Sequence, residues 1–496
     1  MKASRFCWLF SIVLSALLLS CGSTEDNVYK SESSYDSSQP PNQSYDAYSA
    51  NDGVQDTASE PDAVPDAIED SSEPPLEEWA WFQLSPDDST SMASAQLLKL
   101  EYFYGMSLHT HEVINYYDPP ETMRNELARH WGSADDIFIG IDGERLDEQR
   151  MELLIHVYAP QVLVQERRPW NLHLCVDVSG SMSGERIDFT KDALHRLVAA
   201  MRDGDQLSLS TFESNGHLVL PPTPVATGRA TINAAINGLD AQGSTNMKAG
   251  LDIAYEQAKA AYDADMVNRV LLFSDGDANV GETDYATIAQ LTRMNKLEGI
   301  YLSGVGVGQD YAMGRMDALT DAGKGAHVFL PNADEVGVVF GPMLRKMIEV
   351  HADEIAVELQ LPKGFEIEQF SGEEVSTNPE QRLQNIVLAA GDDLSMLATF
   401  SAEDVALFDG ELILTFKYRP LSSGQFTVFE QRLAIADVLS EQPTLLLQRT
   451  RLVNEYAKWA MEQSELDADT LLGAVQGFLP QDDGLREIAV QIARLR

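Results

Sequence analysis

Short apolar segments alternate with segments of helical spacing between Leu172 and Ile348, and this alternation constrains the fold more than any other feature of the chain. Strands that alternate with helices build a mostly parallel sheet with helices on both faces. The sequence therefore predicts a doubly wound α/β domain over residues 168–350. The predicted strands cover residues 172–178, 207–212, 217–220, 267–273, 300–307 and 326–330. The predicted helices cover residues 185–201, 230–239, 247–262, 285–297, 315–322 and 333–348.

The segments on either side of this domain alternate apolar and polar residues with a period of two, which is typical of antiparallel strands with one buried face. In one such strand, Glu152 and His156 lie on the predicted exposed face. We expect a β-sandwich built partly from residues 79–165 and partly from residues 351–440, with the α/β domain inserted between the two parts. The predicted inward-facing residues are Met151, Leu153, Ile155, Val157, Ile355, Val357, Leu359, Leu361, Leu412, Leu414, Phe416 and Tyr418.

Helical spacing returns in the last segment of the chain, residues 444–496. Leu452, Tyr456 and Trp459 recur at the spacing of one helix face, which predicts that this face packs against a core. A second helix is expected near residues 485–495.

The first twenty residues have the features of an export signal. Lys2 and Arg5 precede an apolar run over residues 6–19, which is too short to cross a membrane as a stable helix. Ser20 directly before Cys21 resembles a lipoprotein signal sequence, in which the cysteine is lipidated and becomes the mature N-terminus. This resemblance predicts a signal peptide that ends before Cys21.

Lipidation of Cys21 predicts an exported protein that is anchored to the cell envelope through its acyl chains. Several acyl chains anchor firmly where a single chain is marginal. Gly22, rather than Asp, after the cysteine implies sorting to the outer membrane in a Gram-negative cell, on its periplasmic or surface face. An ordinary signal peptide that contains Cys21 is the alternative.

Residues 21–78 form a tract rich in Ser, Asp, Glu and Pro, in which Lys30 is the one basic residue. Such a composition cannot bury enough apolar surface to offset the entropy lost on ordering. We expect a disordered, self-repelling tether that holds the folded body away from the membrane.

The formal net charge of −43 excludes one class of partner. Phosphate binding needs clustered Lys and Arg, so nucleic acid is not expected to bind. An acidic protein can nevertheless bind cations, and it can bind an acidic partner when a metal ion bridges the two.

Three polar segments follow or precede predicted elements of the α/β domain in a way that points to one site. Asp177, Ser179 and Ser181 lie at the end of the first parallel strand, with Thr245 ahead of a helix and Asp275 after another strand. Ligands gather at the carboxyl ends of strands in an open α/β sheet. Since all five donors are hard oxygens, the pattern predicts a Mg²⁺ site, with Ca²⁺ or Mn²⁺ as alternatives and Zn²⁺ disfavoured.

These residues resemble the von Willebrand factor type A domain and its metal-ion-dependent adhesion site. The Asp-x-Ser-x-Ser loop of that family falls on Asp177, Ser179 and Ser181, its threonine loop on Thr245 and its third-loop aspartate on Asp275. The resemblance implies direct metal contact by the serines and Thr245, and contact through water by the aspartates. Because Mg²⁺ takes about six oxygen ligands, at least one position should remain for water or for a carboxylate of a protein or peptide partner.

A narrower likeness extends over most of the folded body. It relates the chain to bacterial von Willebrand factor type A lipoproteins that are often called calcium-activated-chloride-channel-like, a label that implies no pore. The sequence has no apolar run after the leader long enough for a channel. The likeness rests on residues 114–118, 219–224, 243–246 and 274–281.

Other reactive side chains have simpler explanations. His109 and His111 could chelate a metal, but two residues on one face of a strand are favoured because no third ligand lies nearby. Cys175 lies inside an apolar strand and is expected to be a buried small hydrophobe. Met182 could contact a partner or pack within its loop, and Asp277 is expected to form hydrogen bonds within the third loop.

The sequence therefore predicts a non-enzymatic, metal-dependent binding module on the bacterial cell envelope. An assembly or accessory factor that recruits an enzyme complex is the alternative. A metal-dependent hydrolase is a remote alternative, because no histidine is placed as a base for Ser179 or Ser181 and no general base is identifiable.

Overall fold

The computed structural model describes residues 78–86, 92–99, 113–115, 117, 119, 123, 132–134, 137–160, 162, 165–276, 278–297, 299–308, 311–341, 343–383, 386–421 and 423–496. All of them fall within residues 72–496, which form one unit. The predicted signal peptide, Cys21, the tether up to residue 77 and the pair His109 and His111 lie outside the described residues.

The secondary structure follows the chain in three groups. Ahead of the α/β domain come β1 (Trp79–Ser85), α1 (Ala93–Lys99), β2 (Gly132–Ala134), β3 (Ile137–Arg145) and β4 (Arg150–Tyr158). The α/β domain contains β5 (Trp170–Asp177), α2 (Glu185–Ala200), β6 (Gln206–Phe212), β7 (Gly216–Pro224), α3 (Val225–Asn237), α4 (Met247–Ala260), β8 (Val267–Ser274), α5 (Tyr285–Leu297), β9 (Tyr301–Val307), α6 (Met313–Gly323), β10 (His327–Leu330), α7 (Val336–Val339) and α8 (Leu344–Ile348). Beyond it come β11 (Val350–Pro362), β12 (Phe365–Phe370), β13 (Glu374–Ser376), β14 (Ile386–Ala389), β15 (Asp393–Ala402), β16 (Glu411–Pro420), β17 (Thr427–Ala434), α9 (Ile435–Val438), α10 (Leu445–Ala460), α11 (Ala468–Phe478) and α12 (Arg486–Leu495).

The central sheet has the strand order β10–β9–β8–β5–β6–β7. Its strand pairs are parallel except for β7, which runs antiparallel to β6 at one edge. The core strands β5, β8 and β9 are buried along their whole length. Side chains of β8 alternate between two cores, with Leu271 and Phe273 in one and Val270 and Leu272 in the other. The predicted doubly wound α/β architecture is confirmed.

Two antiparallel sheets flank this domain and enclose a third core. One sheet has the order β13–β1–β11–β16–β17, with β14 paired to β11, and the other has the order β12–β15–β4–β3–β2. Strands from before and after the α/β domain therefore pair directly, as in β1 with β11 and β4 with β15. The predicted inward-facing residues of the sandwich, from Met151 to Tyr418, all lie in this core.

The outer face of β4 differs from the prediction. His156 is fully buried, and its two ring nitrogens lie 3.0 Å from Ser395 Oγ and 3.0 Å from Asp393 Oδ1. Leu154 and Leu397 on the same sheet pack into a fourth core with α10, α11 and α12. The prediction that this face is exposed is wrong, because helices from the far end of the chain cover it.

The C-terminal helical segment is confirmed, with one helix more than predicted. Tyr456 is buried in the fourth core, and Leu452 and Trp459 pack at its edge. Helix α11 lies between the two predicted helices and contributes Leu471 and Val475 to the same core.

The predicted helix over residues 333–348 is two short helices, α7 and α8. Pro342 lies between them in the sequence. Because proline has no N–H to donate and disfavours helical backbone at the residue before it, one continuous helix cannot form here.

Polar side chains join the α/β domain to the sandwich at the amino ends of the parallel strands. Asp353 is fully buried and accepts a hydrogen bond from Tyr301 Oη at 2.6 Å. The Arg419 guanidinium of β16 donates to both oxygens of the same carboxylate, at 2.7 Å each. Lys296 and Glu354 form a further ion pair of 2.9 Å across this boundary.

The two chain segments that enter and leave the α/β domain run side by side. Arg345 Nη2, in α8, donates to the carbonyl oxygen of Val162 in the incoming segment at 2.5 Å. The main chain of the outgoing segment is held at Glu349, whose carbonyl accepts from Ala390 N at 3.2 Å. The incoming segment is thus bonded to α8, and the outgoing segment is bonded to the residue that follows β14 of the sandwich.

No helix among the residues that the structure describes is long and apolar enough to cross a membrane.

The stability of the folded body is expected to decrease as the pH is lowered from about 6.5 to about 4, because of His173 in β5. Burial lowers the pKa of this imidazole to about 4, while Ser208 Oγ lies 2.8 Å from its Nδ1. On acidification the unfolded chain binds a proton first, so unfolding becomes easier by at most about 3 kcal/mol. In His173→Gln, the pH dependence of the urea midpoint should be correspondingly flatter.

His217→Gln is the matched control, because the His217 side chain is 55% exposed. It should leave the slope of stability against pH unchanged above about pH 5, because hydrogen bonds from Ser214 and His217 lower the pKa of its partner Glu213 to about 2 and the effect of losing this pairing falls at lower pH. Equal slopes for wild type and His173→Gln would contradict this assignment.

Candidate metal centre

Three loops meet at the carboxyl end of the central sheet. The first follows β5 and leads into α2, the second precedes α4, and the third follows β8. Because β5 and β8 are adjacent and parallel, with Val176 opposite Phe273, their following residues emerge side by side. Gly180 N donates to Gly243 O at 3.0 Å, so main-chain hydrogen bonding ties the first loop to the second.

Asp177 is the last residue of β5 and its side chain is fully buried. Its Oδ1 accepts from Ser179 N at 2.8 Å, and its Oδ2 accepts from Ser274 Oγ at 2.7 Å. Burial raises the pKa of Asp177 to about 6, the nearby charge of Asp275 adds to this rise, and the hydrogen bonds from Ser179 and Ser274 oppose it. At neutral pH the site therefore holds an ionised carboxylate that is costly to bury without a nearby cation.

A chain of hydrogen bonds connects the serines of the first loop to the third loop. Ser179 Oγ lies 3.0 Å from Ser181 Oγ, and Ser181 Oγ donates to Asp275 Oδ1 at 2.9 Å. Ser179 and Asp275 are buried, whereas Ser181 is exposed. The hydroxyls thus line the route from the buried carboxylates to the surface.

Thr245 joins this group through the third loop. Thr245 N donates to Asn279 Oδ1 at 2.8 Å, and Asn279 Nδ2 lies 3.5 Å from Thr245 Oγ1. The main-chain N–H of Asn279 also donates to Thr245 O at 2.9 Å. Asn246 then caps the N-terminus of α4, and its side chain accepts from the N–H of Ala249.

Four of the five predicted ligands are connected by direct contacts, from Asp177 to Ser179, from Ser179 to Ser181 and from Ser181 to Asp275. The fifth, Thr245, is bonded to Asn279 of the third loop. Their binding of a metal ion stays a prediction. Two further residues that the sequence did not single out belong to the group, namely Asn279 and Arg186. Two signals in the sequence could have identified them. Asn279 is an asparagine shortly after Asp275, and Arg186 is a cation in the first turn of a helix, where acids are preferred.

Arg186 lies in the first turn of α2 and reaches across to the third loop. Its Nη1 donates to Asp275 Oδ2 at 2.5 Å and to Ser181 O at 3.3 Å. The Arg186 side chain is 26% exposed and that of Asp275 only 1%. Asp275 is thus paired with one guanidinium and one hydroxyl.

The chemistry of these residues fits a hard dication. Two carboxylates, from Asp177 and Asp275, and three hydroxyls supply oxygen donors, which Mg²⁺ and Ca²⁺ prefer. Within the described part of the chain, no cluster of three or more His, Cys, Asp or Glu residues is arranged to hold a metal. A metal site here would therefore depend on Ser179, Ser181 and Thr245 as well as on the carboxylates.

The remaining residues near the loops have other roles. Met182 is fully buried and packs into the core of the α/β domain. Cys175 is buried in β5, and burial raises the pKa of its thiol far above the ordinary value, so the reactive thiolate is disfavoured. Asp277 lies outside the described residues.

Comparison with known proteins locates this fold within a family. A family model described as the von Willebrand factor type A domain matches residues 172–278. The uncharacterized protein YfbK of Escherichia coli is 33% identical over 216 residues, a match covering 43% of this chain and 37% of that protein. The uncharacterized protein sll0103 of Synechocystis is 26% identical over 223 residues, covering 43% of this chain and 51% of that protein.

The comparison with solved structures includes a match over a longer region. The von Willebrand factor type A protein from Catenulispora acidiphila is 16% identical, with a TM-score of 0.49, over 73% of this chain and 91% of that one. The matches of YfbK and sll0103 each span less than two thirds of the relative's own length. The inserted α/β domain, which carries Asp177, Ser179, Ser181, Thr245 and Asp275, is a von Willebrand factor type A domain.

Proposed function

We propose that this chain is a metal-dependent protein-binding module, in which a divalent cation held at the three loops binds a carboxylate of a partner. Von Willebrand factor type A domains typically serve as protein-binding or adhesion modules. The observation that carries the proposal is the hydrogen-bonded chain from Ser179 through Ser181 to Asp275, beside the buried carboxylate of Asp177.

The proposed ligands are Asp177, Ser179, Ser181, Thr245 and Asp275, and Mg²⁺ is the proposed ion. Two carboxylates balance the charge of a dication, and the three hydroxyls add ligands without adding charge. Mg²⁺ takes about six oxygen ligands, so five protein residues leave room for water or an outside anion. A bound dication would supply a Lewis-acidic contact for an anionic oxygen.

This chain's own residues would orient the site and control access to it. Ser274 and the N–H of Ser179 fix the Asp177 carboxylate, and Asn279 holds the threonine loop against the third loop. The exposed Ser181 stands between the buried carboxylates and solvent. A partner carboxylate would therefore approach past Ser181.

The proposed location is the bacterial cell envelope, with lipidation of Cys21 as the membrane anchor and the acidic tract as the spacer. This part of the proposal rests on the sequence of the leader alone. Metabolic labelling with a radioactive fatty acid tests it, with Cys21→Ser expected to lose the label.

Removal of the Asp177 charge is expected to weaken metal binding while preserving the fold. Asp177→Asn in the full chain should weaken Mg²⁺ binding at least about tenfold in calorimetry, since a buried opposite charge is lost. Wild type should gain about 2.7 kcal/mol of stability at a Mg²⁺ concentration about 100 times its Kd, and at the same concentration the variant should gain at most about 1.4 kcal/mol.

The same variant provides its own folding control in EDTA. The folded-state pKa of Asp177, about 6, lies above its ordinary value of 3.8, so stability is lost as the pH rises through this range. At pH 8 the asparagine removes a cost of at most about 3 kcal/mol, so Asp177→Asn should be no less stable than metal-free wild type. Asp192→Asn, at a carboxylate 51% exposed on α2, should retain wild-type Mg²⁺ binding. Equal Mg²⁺ affinity in wild type and Asp177→Asn would contradict the assignment.

Thr245→Ala is expected to lose the capture of partners whose binding depends on the metal ion. The full-length protein should capture a partner from envelope extracts in Mg²⁺ and release it in chelator, and the variant should capture none. Thr470→Ala, at an exposed position of α11, is the matched control. A partner retained equally with Mg²⁺ and with chelator would argue against a role for the cation, and turnover of a substrate by purified protein would favour a hydrolase.

A further inference from the structure

We propose that Arg186 sets the net charge of the metal centre, weakening the binding of the metal and strengthening the binding of the partner's carboxylate. This inference rests on the proposed function of the site. It concerns how the two binding steps are balanced.

The contacts of Arg186 place its charge inside the site. Nη1 lies 2.5 Å from Asp275 Oδ2, while Asp275 Oδ1 accepts the hydroxyl of Ser181 at 2.9 Å. One oxygen of this carboxylate thus faces the guanidinium and the other faces the predicted metal ligands. Since Asp275 is buried, the field of Arg186 is screened less than that of a surface charge.

The position of Arg186 in α2 is unfavourable for a positively charged side chain. It is the second residue of α2, where the partial positive charge of the helix N-terminus favours acids and disfavours cations. Glu185 and Asp188 occupy the same first turn, as expected from that preference. A cation here is accepted because it contacts Asp275 and the carbonyl oxygen of Ser181.

A glycine in the neighbouring strand end makes room for this side chain. Gly308 follows β9 with a φ of +86°, a conformation that favours glycine. A Cβ on Gly308 would lie 2.6 Å from Arg186 Nε, which is closer than such atoms approach. Two features that local preferences disfavour, the cation in the first turn of α2 and the positive φ of Gly308, therefore occur at the guanidinium of Arg186. Such departures are expected at functional sites.

Charge counting gives the consequence for binding. With Asp177 and Asp275 ionised, the metal-free site carries −1 when Arg186 is included, and it would carry −2 without it. A bound dication changes these values to +1 and 0. Arg186 therefore opposes the arrival of the metal and leaves the loaded site with a net positive charge toward an anion.

The test compares Arg186→Gln with Arg196→Gln in the full-length protein. Arg196 lies on the same helix, is 49% exposed and pairs with the exposed Asp192, so this control removes the same charge at a surface site. Mg²⁺ affinity is measured by calorimetry. Acetate affinity at saturating Mn²⁺ is measured from the broadening of the acetate proton line by the bound paramagnetic ion.

Arg186→Gln is expected to bind Mg²⁺ about tenfold more tightly and acetate about tenfold more weakly, since a charge at this distance shifts such equilibria by that order. Arg196→Gln should change neither affinity. A purely structural role for Arg186 would lower both affinities, so the opposite signs distinguish the two explanations. Arg186→Lys keeps the charge and should restore values near those of wild type.

The failures of the two proposals are distinguishable. Unchanged or weakened Mg²⁺ binding in Arg186→Gln, with normal binding by wild type, would overturn the inference and leave the metal-dependent function standing. Weak acetate binding that is equal in wild type and Arg186→Gln would also overturn it. A wild type that binds neither Mg²⁺ nor Mn²⁺ would overturn both proposals.

Discussion

The pairing of β5 with β8 places two carboxylates next to each other at the carboxyl end of the central sheet. Asp177 ends one strand and Asp275 follows the other, and both side chains are buried. Like charges in a region of low dielectric are costly unless donors or cations face them. The hydroxyl of Ser274 and the guanidinium of Arg186 are among the groups that meet this requirement. This electrostatic constraint and the main-chain hydrogen bonds between the loops together hold the three loops in place.

The sandwich around the α/β domain is built from two separate parts of the chain. Strand β11 pairs with β1 on one side and β16 on the other, so residues far apart in sequence share one sheet. The polar cluster of Asp353, Tyr301 and Arg419 then joins this sheet to the α/β domain at the end opposite the proposed metal site. The surface proposed to face a partner and the surface that contacts the sandwich therefore lie at opposite ends of the domain.

The sequence predicted the parts of the site that depend on local spacing, and it missed those that depend on long-range contact. Asp177, Ser179 and Ser181 follow one strand within a few residues, so their common location could be predicted from strand order alone. Arg186 and Asn279 were missed because their partners belong to other loops. The same limit applies to the fold: the outer face of β4 is covered by helices about 300 residues later, which no local pattern indicates.

The side-by-side connections at Val162 and Glu349 have a mechanical consequence for the folded body. A pulling force applied at the loops reaches the sandwich through two covalent paths in parallel, so each path carries only part of the tension. Cleavage of one path by a protease would leave the domain attached through the other. After a single cut in either connection, the two pieces of the chain would be held together by the strand pairs β1–β11 and β4–β15.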